Sequence, residues 1–185
     1  MDDHQLVSEC LKGKRIAQKL LYEQFAPSML AVCYRYTKSV SDAEDVLQEG
    51  FVKAFKNLGQ YKGEGNLGGW LRRIMVTTAI NYLKKASRYQ TELLFTDEHL
   101  HAVSVYQPDV HLDAKELADL VRQLPAGYQT IFNLHAVEGY SHVEIGVMLG
   151  IKEGTSRSQY ARARALLIQW IEQQNKDLKN RTYAG

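Results

Sequence analysis

Apolar residues recur at helical spacing along most of the N-terminal half of the chain. Residues 14–39 carry one such stripe, and Pro27 within it predicts the start of a second helix because proline is tolerated in a first turn. The segment from Ser41 to Glu44 has the pattern of a capping box, in which each residue's side chain bonds the other's backbone amide. It predicts a helix that continues until Gly59 ends it.

A glycine-dense loop at 61–69 follows, and a loop of this composition is expected to be flexible on its own. The pattern then predicts a third strong helix from Trp70 to about Ser87. The core stripe of this helix is predicted to be Leu71, Ile74, Thr78 and Asn81, joined by Trp70 and Leu83. The opposite face is polar and basic and carries Arg73, Thr77, Lys84 and Arg88.

Residues 91–112 break the helical pattern. They contain several acidic residues but no lysine or arginine, and Pro108 interrupts any helix there. We therefore interpret 91–112 as a linker between two domains, 1–90 and 113–185. Composition leaves two roles open for this linker: a solvated spacer, or an acidic segment that occupies a positively charged channel when no nucleic acid is present.

Helical periodicity resumes at Asp113, where a second capping-box pattern begins. One helix is predicted from there to Leu124, since Pro125 cannot continue it. Another is predicted over about 127–138, where Gly139 follows the last apolar position.

The remaining pattern is a short capped helix, a turn and a longer basic helix. Ser141 and Glu144 form a capping box that opens the short helix, and Gly150 closes it. Thr155 is placed to open the last helix, which runs to about Gln173. This arrangement is typical of a DNA-binding helix-turn-helix.

The last helix has two different faces when it is projected at about 100° per residue. One side should pack on the preceding helices and carries Ser156, Tyr160, Ala163, Leu167 and Trp170. The other side presents Arg157, Ser158, Ala161 and Ala165, flanked by Arg162 and Arg164. Small residues on this face allow a helix to enter a major groove. Arg157, near the N-terminal end, can then reach a guanine edge through two hydrogen bonds, whereas Arg162 and Arg164 are better placed for phosphates.

Composition supports a folded helical protein. The chain has 185 residues, of which 45% are hydrophobic, and no set of alternating apolar and polar residues predicts strands. The fold class expected is all-α: two small helical domains joined by a flexible acidic linker, the C-terminal one a helix-turn-helix. The net charge of +2 decides little, because the basic residues are concentrated in particular helices.

Other chemistries lack support in the sequence. Cys10 and Cys33 are isolated and are expected to be reduced, partly buried thiols, and His99 and His101 have no neighbours that complete a metal site. No paired carboxylates, nucleophilic triad or phosphate loop indicates an enzyme, a cofactor or a small-molecule substrate. The first residues contain no apolar signal core and no stretch is long enough to span a membrane, so a cytoplasmic location is expected.

Three segments together resemble one protein family. They are SDAEDVLQEGFVKAFKNL at 41–58, GGWLRRIMVTTAINYLKK at 68–85, and LPAGYQTIFNLHAVEGYSHVEIGVMLGIKEGTSRSQYARAR at 124–164. The chain is similar, over about residues 10–172, to the extracytoplasmic-function (ECF) subgroup of bacterial RNA polymerase sigma factors. Members of this subgroup consist of two helical domains and a linker, which agrees with the short length.

The resemblance implies roles for the N-terminal domain. The polar face of the 41–58 helix would bind the clamp helices of the largest polymerase subunit through Asp45, Gln48, Glu49 and Lys53. The loop and the following helix would recognise and open the −10 promoter element through Tyr61, Lys62, Asn66, Arg73, Lys84, Lys85 and Arg88. Tyr61 and Trp70 are the aromatic residues available to stack on an unstacked base, and Trp70 is the better candidate for the core.

The resemblance also implies roles for the remainder of the chain. The helix-turn-helix would read the −35 element as duplex DNA through Thr155, Arg157, Ser158, Arg162 and Arg164. The polymerase flap would be a further contact, and the acidic linker would enter the RNA exit channel. An anti-sigma factor, of a kind that is often membrane-bound, would restrain the protein.

Two competing hypotheses belong to other classes. A stand-alone helix-turn-helix regulator would sense a ligand with its N-terminal half and bind paired operator half-sites as a dimer, but residues 1–90 contain no obvious ligand pocket or dimerisation heptad. An enzyme is the weakest hypothesis for the reasons given above.

Overall fold

The computed structural model describes residues 2–87 and 114–183, so the linker expected at 91–112 lies outside the described residues. Within these two ranges every regular element is helical. The chain divides into two compact units, Met1–Tyr89 and Gln90–Gly185. The expected all-α class with two helical domains is therefore confirmed.

The described residues of the first unit, 2–87, form four α-helices, of which the second, third and fourth pack on one another and the first packs on the second. They are α1 (Asp3–Leu11), α2 (Arg15–Tyr34), α3 (Val40–Asn57) and α4 (Leu67–Ser87). A 3₁₀ turn, Leu58–Gln60, follows α3. The buried side chains at the centre include Leu21, Val32, Val46, Phe51, Leu71 and Met75.

The start of α3 differs from the expected one. Ser39, and not Ser41, caps the helix, because its Oγ accepts a hydrogen bond from the backbone N of Asp42 at 3.0 Å. Both serines have an acidic residue three positions later, so the sequence alone offers two registers. The Ser39 register also places the Asp42 carboxylate 2.7 Å from the hydroxyl of Tyr82 on α4, which donates to it. This contact between helices favours the earlier cap.

Pro27 does not begin a helix, contrary to the sequence-based expectation. It lies inside α2, which is continuous from Arg15 to Tyr34. Pro27 lies on the exposed side of the helix, where solvent can replace the backbone hydrogen bond that proline removes.

Helix α4 begins at Leu67, three residues before the expected start at Trp70. Its buried face is also rotated from the expected stripe, since Ile74 and Leu83 are half-buried and Asn81 is exposed. The fully covered positions are Leu67, Leu71, Met75, Val76, Thr78, Ala79 and Ile80. Met75 packs directly against Gly50 of α3, where an added Cβ would clash with the Met75 sulfur. The close approach of these two helices therefore sets the rotation of α4.

The described residues of the second unit, 114–183, also form four α-helices, α5 (Ala114–Gln123), α6 (Ala126–Phe132), α7 (His142–Leu149) and α8 (Glu153–Tyr183). A π-helical turn, Asn133–Val137, extends α6 over the end of the helix expected at 127–138. The core joins α5, α6 and α8 through Leu120, Val121, Leu124, Tyr128, Ala163 and Leu167.

The short helix α7 begins and ends as predicted. The Oγ of Ser141 accepts from the backbone N of Glu144 at 3.3 Å, and Glu144 Oε2 accepts from the backbone N of Ser141 at 2.8 Å. Gly150 closes the helix with a φ of +73°, in the left-handed region that favours glycine. Helix α8 starts at Glu153, earlier than the expected Thr155, and extends to Tyr183 instead of about Gln173.

Candidate nucleic-acid interface

The first turns of α8 separate buried from exposed side chains nearly as predicted. Ser156, Gln159, Ala163 and Leu167 are buried, and Gln159 extends the expected inner face. Arg157, Ala161 and Arg164 are exposed, whereas Thr155, Ser158, Arg162 and Ala165 are half-buried. The helix thus presents a mostly small and basic outer face next to the turn.

Arg157 has an intramolecular partner that the sequence analysis missed. Its Nε and Nη2 both donate to Oε1 of Glu153, at 2.9 Å and 2.6 Å. Glutamate four residues before arginine on a helix is a recognisable signal for such a pair. The pair directs the Arg157 guanidinium toward the N-terminal end of α8.

An aromatic cluster lies beneath the start of α8. The rings of His135 and His142 stack with centroids 4.2 Å apart, and the Tyr160 ring is inclined by 76° to that of His135 with the two centroids 4.6 Å apart. Ser156 and His142 are joined by a hydrogen bond of 2.9 Å between Oγ and Nδ1. The Arg164 guanidinium lies 5.9 Å from the Tyr160 ring centroid, in a cation–π contact. This cluster links the π-helical turn after α6 with α7 and with the first turns of α8.

The turn between α7 and α8 requires a close backbone approach. A Cβ added to Gly146 would lie 2.9 Å from the carbonyl oxygen of Ile151. The backbone N of Ile151 donates to the carbonyl oxygen of Gly146 at 3.0 Å. The two helices therefore depend on glycine at position 146 for their relative placement.

The polar face of α3 carries the residues expected to bind the polymerase core. Asp45 and Gln48 are exposed. Lys53 is engaged within the unit, because its Nζ lies 2.6 Å from Oε1 of Glu49 and 3.3 Å from Oγ1 of Thr78. The hydrogen bond from Lys53 lowers the pKa of Glu49, and the charge of Lys85 acts in the same direction. Glu49 therefore stays ionised and is tied to the rest of the unit, whereas the Asp45 side chain is exposed to solvent.

Contacts at both ends hold the 61–66 loop, so the flexibility expected from its glycine content is reduced. The Tyr61 hydroxyl donates to the carbonyl oxygen of Gly65 at 2.8 Å, and the Tyr61 ring lies 5.7 Å from that of Trp70. Oδ1 of Asn66 accepts from the backbone N of Gly69 at 2.5 Å and so caps α4. Lys62 is exposed, and Trp70 is half-buried. The loop thus exposes a lysine that follows Tyr61 in sequence, and the Tyr61 ring itself contacts that of Trp70.

The basic face of α4 lies on the same unit. Arg73, Lys84 and Lys85 are exposed, as expected, and Arg88 lies outside the described residues. Exposed cations along one helix provide the electrostatic attraction that a nucleic-acid backbone requires.

Two family models match the chain, one in each unit. Residues 21–89 match sigma-70 region 2, and residues 114–167 match sigma-70 region 4. The chain is 30% identical to an ECF RNA polymerase sigma-E factor of Haemophilus influenzae, over 93% of this chain and 96% of that protein. It is also 30% identical to an RNA polymerase sigma-H factor of Pseudomonas aeruginosa, over 88% of this chain and 90% of that one.

The chain belongs to the ECF RNA polymerase sigma factors. It is an alternative sigma factor that directs promoter-specific transcription initiation. Sigma factors bind the polymerase core and promoter DNA and are DNA-binding regulators, not enzymes in the usual sense. The family therefore replaces the stand-alone regulator as the explanation of the helix-turn-helix.

A solved sigma factor has the same fold. It is RpoE of Bartonella quintana, crystallised with the anti-sigma factor NepR, and it is 21% identical to this sigma factor with a TM-score of 0.50. The alignment covers 83% of this chain and 96% of that one.

No described helix of this sigma factor is long and apolar enough to cross a membrane. Among the described residues, no group of three histidine, cysteine or acidic side chains could hold a metal ion. Cys10 and Cys33 are free and buried, and burial raises the pKa of the Cys33 thiol to about 12, so this thiol stays protonated at neutral pH.

Proposed function

We propose that the two units divide promoter recognition between them. The first domain, 1–90, binds the core polymerase and the −10 element, and the second, 113–185, binds the −35 element. The observation that supports this division is that the first unit has polar faces on α3 and α4, whereas the second unit contains a separate helix-turn-helix.

The outer face of α3 binds the clamp helices of the largest polymerase subunit. The residues that take part are Asp45, Gln48, Glu49 and Lys53. Asp45 is the strongest single candidate, because it is exposed while Glu49 and Lys53 already bond each other. An exposed carboxylate can pair with a cation of a partner without first breaking an internal contact.

The 61–66 loop and α4 recognise and open the −10 element. A base that has left the DNA stack packs on the ring of Tyr61, near Lys62 and Asn66. The phosphates of the same strand contact Arg73, Lys84, Lys85 and Arg88. Exposed lysines beside aromatic rings are the combination that binds single-stranded nucleic acid. The exposed position of Lys62 and the contact between Tyr61 and Trp70 support this assignment.

The outer face of α8 reads the −35 element in the major groove. Arg157 contacts a base edge, and Thr155, Ser158, Arg162 and Arg164 contact the backbone or neighbouring bases. The exposed Ala161 between them supports this placement, because a small residue lets the helix approach the groove floor. The second domain also contacts the polymerase flap, and the linker enters the RNA exit channel.

The protein acts in the cytoplasm and is restrained there by an anti-sigma factor. RpoE of Bartonella quintana was crystallised with such a factor, NepR. Anchoring of the anti-sigma factor in the inner membrane is part of this proposal. The test is whether the tagged protein co-purifies with bacterial membranes. Deletion of a neighbouring gene that encodes a one-span membrane protein should abolish this co-purification. Recovery that is unchanged by the deletion would contradict it.

Retention on purified core polymerase, followed by run-off transcription with the same polymerase, tests the assignment of core binding to the first domain. Asp45→Lys and the double variant Asp45→Lys with Glu49→Lys should abolish retention on core polymerase, while the helical content stays that of the unaltered protein. Glu23→Lys on α2 introduces the same change in charge as the single variant and should bind core normally, since Glu23 lies outside the proposed face. Normal core binding by the double variant would remove the assignment of α3.

A further inference from the structure

Helix α1 has no place in the functional surfaces assigned so far. The region 2 family model begins at residue 21, beyond the end of this helix at Leu11. Two side chains of α1 nevertheless contact the 61–66 loop and its junction with α4: Asp3 and His4.

Asp3 bonds the first residue of α4. The backbone N of Leu67 donates to Oδ2 of Asp3 at 3.4 Å, across a separation of 64 residues in sequence. The first amides of a helix have no partner within the helix, and a carboxylate near them is favoured by the helix dipole. Asn66 bonds the amide of Gly69 in the same turn. One residue of the loop and one residue of α1 therefore fix the start of α4 together.

His4 lies against the tip of the loop. A Cβ added to Gly63 would clash with Cε1 of the His4 ring and would lie 3.2 Å from its Nδ1. Gly63 also has a φ of +78°, which favours glycine. The imidazole ring thus packs on bare backbone at a position where the loop can carry no side chain.

The placement of α1 does not depend on the loop. Its inner side is formed by Leu6, Val7 and Cys10, which are buried. Asp2 caps the helix by accepting from the backbone N of Gln5 at 2.7 Å. A helix anchored in the core can therefore act as a fixed support for the loop that it touches.

We propose that Asp3 and His4 are positioning residues for −10 recognition. They hold the 61–66 loop and the first turn of α4 in the arrangement that receives an unstacked base, so this inference rests on the function proposed for that loop. The physical reason is conformational entropy: Gly63 and Gly65 give the loop many alternatives, and each lost contact returns some of them. A site held in its binding arrangement discriminates between bases better than one that must be ordered at each encounter.

The test uses the full-length protein with core polymerase on one promoter and on single-base variants of its −10 element. The measured quantity is the ratio of open-complex formation between the best and the altered element. Asp3→Ala and His4→Ala should each lower this ratio about fivefold, as expected for the loss of one contact of about 1 kcal/mol. Asp3→Asn retains an acceptor oxygen and should restore most of the ratio. Ser8→Ala changes an exposed residue of α1 away from the loop and should leave it unchanged.

Two further measurements separate positioning from a general loss of structure. Core affinity should stay unchanged in both variants, and the melting temperature should fall by no more than about 4–8 °C, the shift that the loss of about 1 kcal/mol causes in a domain of this size. Amide hydrogen exchange over 61–69 should become faster by a larger factor than that of α2 and α3. The inference is overturned if the ratio of open-complex formation between the two elements is unchanged, or if amide hydrogen exchange in the loop is unchanged. A lower melting temperature with an unchanged ratio overturns it as well, because α1 would then be only structural.

A loop variant distinguishes failure of the inference from failure of the proposed function. Tyr61→Ala should lower the base ratio in the same assay. If Tyr61→Ala lowers the ratio and the α1 variants do not, the positioning role is overturned and the function of the loop stands. If Tyr61→Ala leaves the ratio intact, the loop does not read the −10 element, and the positioning role falls with it.

Discussion

Glu153 holds the guanidinium of Arg157 through two hydrogen bonds to a single carboxylate oxygen, at 2.9 Å and 2.6 Å. Both side chains are substantially exposed, at 67% for Arg157 and 43% for Glu153. An exposed pair at this helical spacing contributes only about 0.3–0.5 kcal/mol. In the proposed −35 contact, DNA therefore takes Arg157 from Glu153 at small cost, and the pair orients the arginine beforehand without locking it.

Arg157→Ala should weaken binding to the upstream promoter element by about 1–3 kcal/mol and relax the preference at one base position. A guanidinium that bonds two acceptors of a guanine loses both bonds on truncation. Affinity of the polymerase holoenzyme for a panel of −35 duplexes, each with one substituted base pair, measures this. An equal loss on every duplex would assign Arg157 to a phosphate.

Glu153→Gln should strengthen binding to all upstream duplexes by less than about 1 kcal/mol, because it removes a negative charge next to DNA and leaves base contacts unchanged. Glu172→Gln, on the same helix but farther from the turn, provides the matched control and should have little effect. The same duplex panel serves as the measurement. Weaker and less selective binding by Glu153→Gln would mean that the carboxylate is needed to aim Arg157.

Gln159→Leu should stabilise the second unit by about 1–3 kcal/mol. The oxygen and nitrogen of the Gln159 carboxamide are both buried and have no hydrogen-bond partner among the described residues. Leucine fills a similar volume without burying polar atoms. Denaturant unfolding followed by circular dichroism measures the change. Gln169→Leu, at an exposed position of α8, should stay within about 0.5 kcal/mol of the unaltered protein. Destabilisation by Gln159→Leu would contradict the prediction.

Gly146→Ala should destabilise the helix-turn-helix by about 1–3 kcal/mol, since the new methyl group would press on the carbonyl oxygen of Ile151 at 2.9 Å. Gly154→Ala is the matched control, because a Cβ there meets nothing within 4 Å. Alanine is the better helix former, so this second variant should gain up to about 1 kcal/mol. Thermal unfolding should therefore give a lower melting temperature for Gly146→Ala and a higher one for Gly154→Ala. Equal shifts in melting temperature for the two variants would refute the prediction.

Acidification should destabilise the second unit through His142. Burial is the main cause that lowers the pKa of His142 below its ordinary 6.5, and the charges of His135 and Arg157 add to it, while Glu153 opposes it. The unfolded chain therefore binds the proton more readily than the folded one, so stability is complete above pH 6.5 and falls as the pH drops through that value. Urea midpoints between pH 8 and 5 should show this slope, and His142→Gln should flatten it. An equally steep slope in that variant would assign the effect to another group.

Features that depend on neighbours in sequence were predictable. The capping box of Ser141 and Glu144 and the left-handed turn at Gly150 use only local backbone, so the helix-turn-helix could be placed from its residues alone. The cap of α3 could not be placed, because Ser39 and Ser41 are locally equivalent and the choice between them depends on Tyr82, 40 residues away from Asp42.

Features that depend on packing between helices were not predictable. The buried side of α4 is set by Met75 against Gly50, and periodicity alone placed Ile74 and Asn81 there instead. The pair of Arg157 and Glu153 was within reach of helical spacing. By contrast, nothing near Asp3 in sequence indicates its bond to Leu67.

The bond between Asp3 and Leu67 also bears on how the first unit folds during synthesis. Helix α1 leaves the ribosome before α4, because its partner Leu67 follows Asp3 by 64 residues. At a synthesis rate of about 5–20 residues per second, α1 therefore waits several seconds before it can dock there. During that interval its apolar side chains Leu6 and Val7 lack the complete core that finally covers them. The first unit can thus close only after α4 has been synthesised.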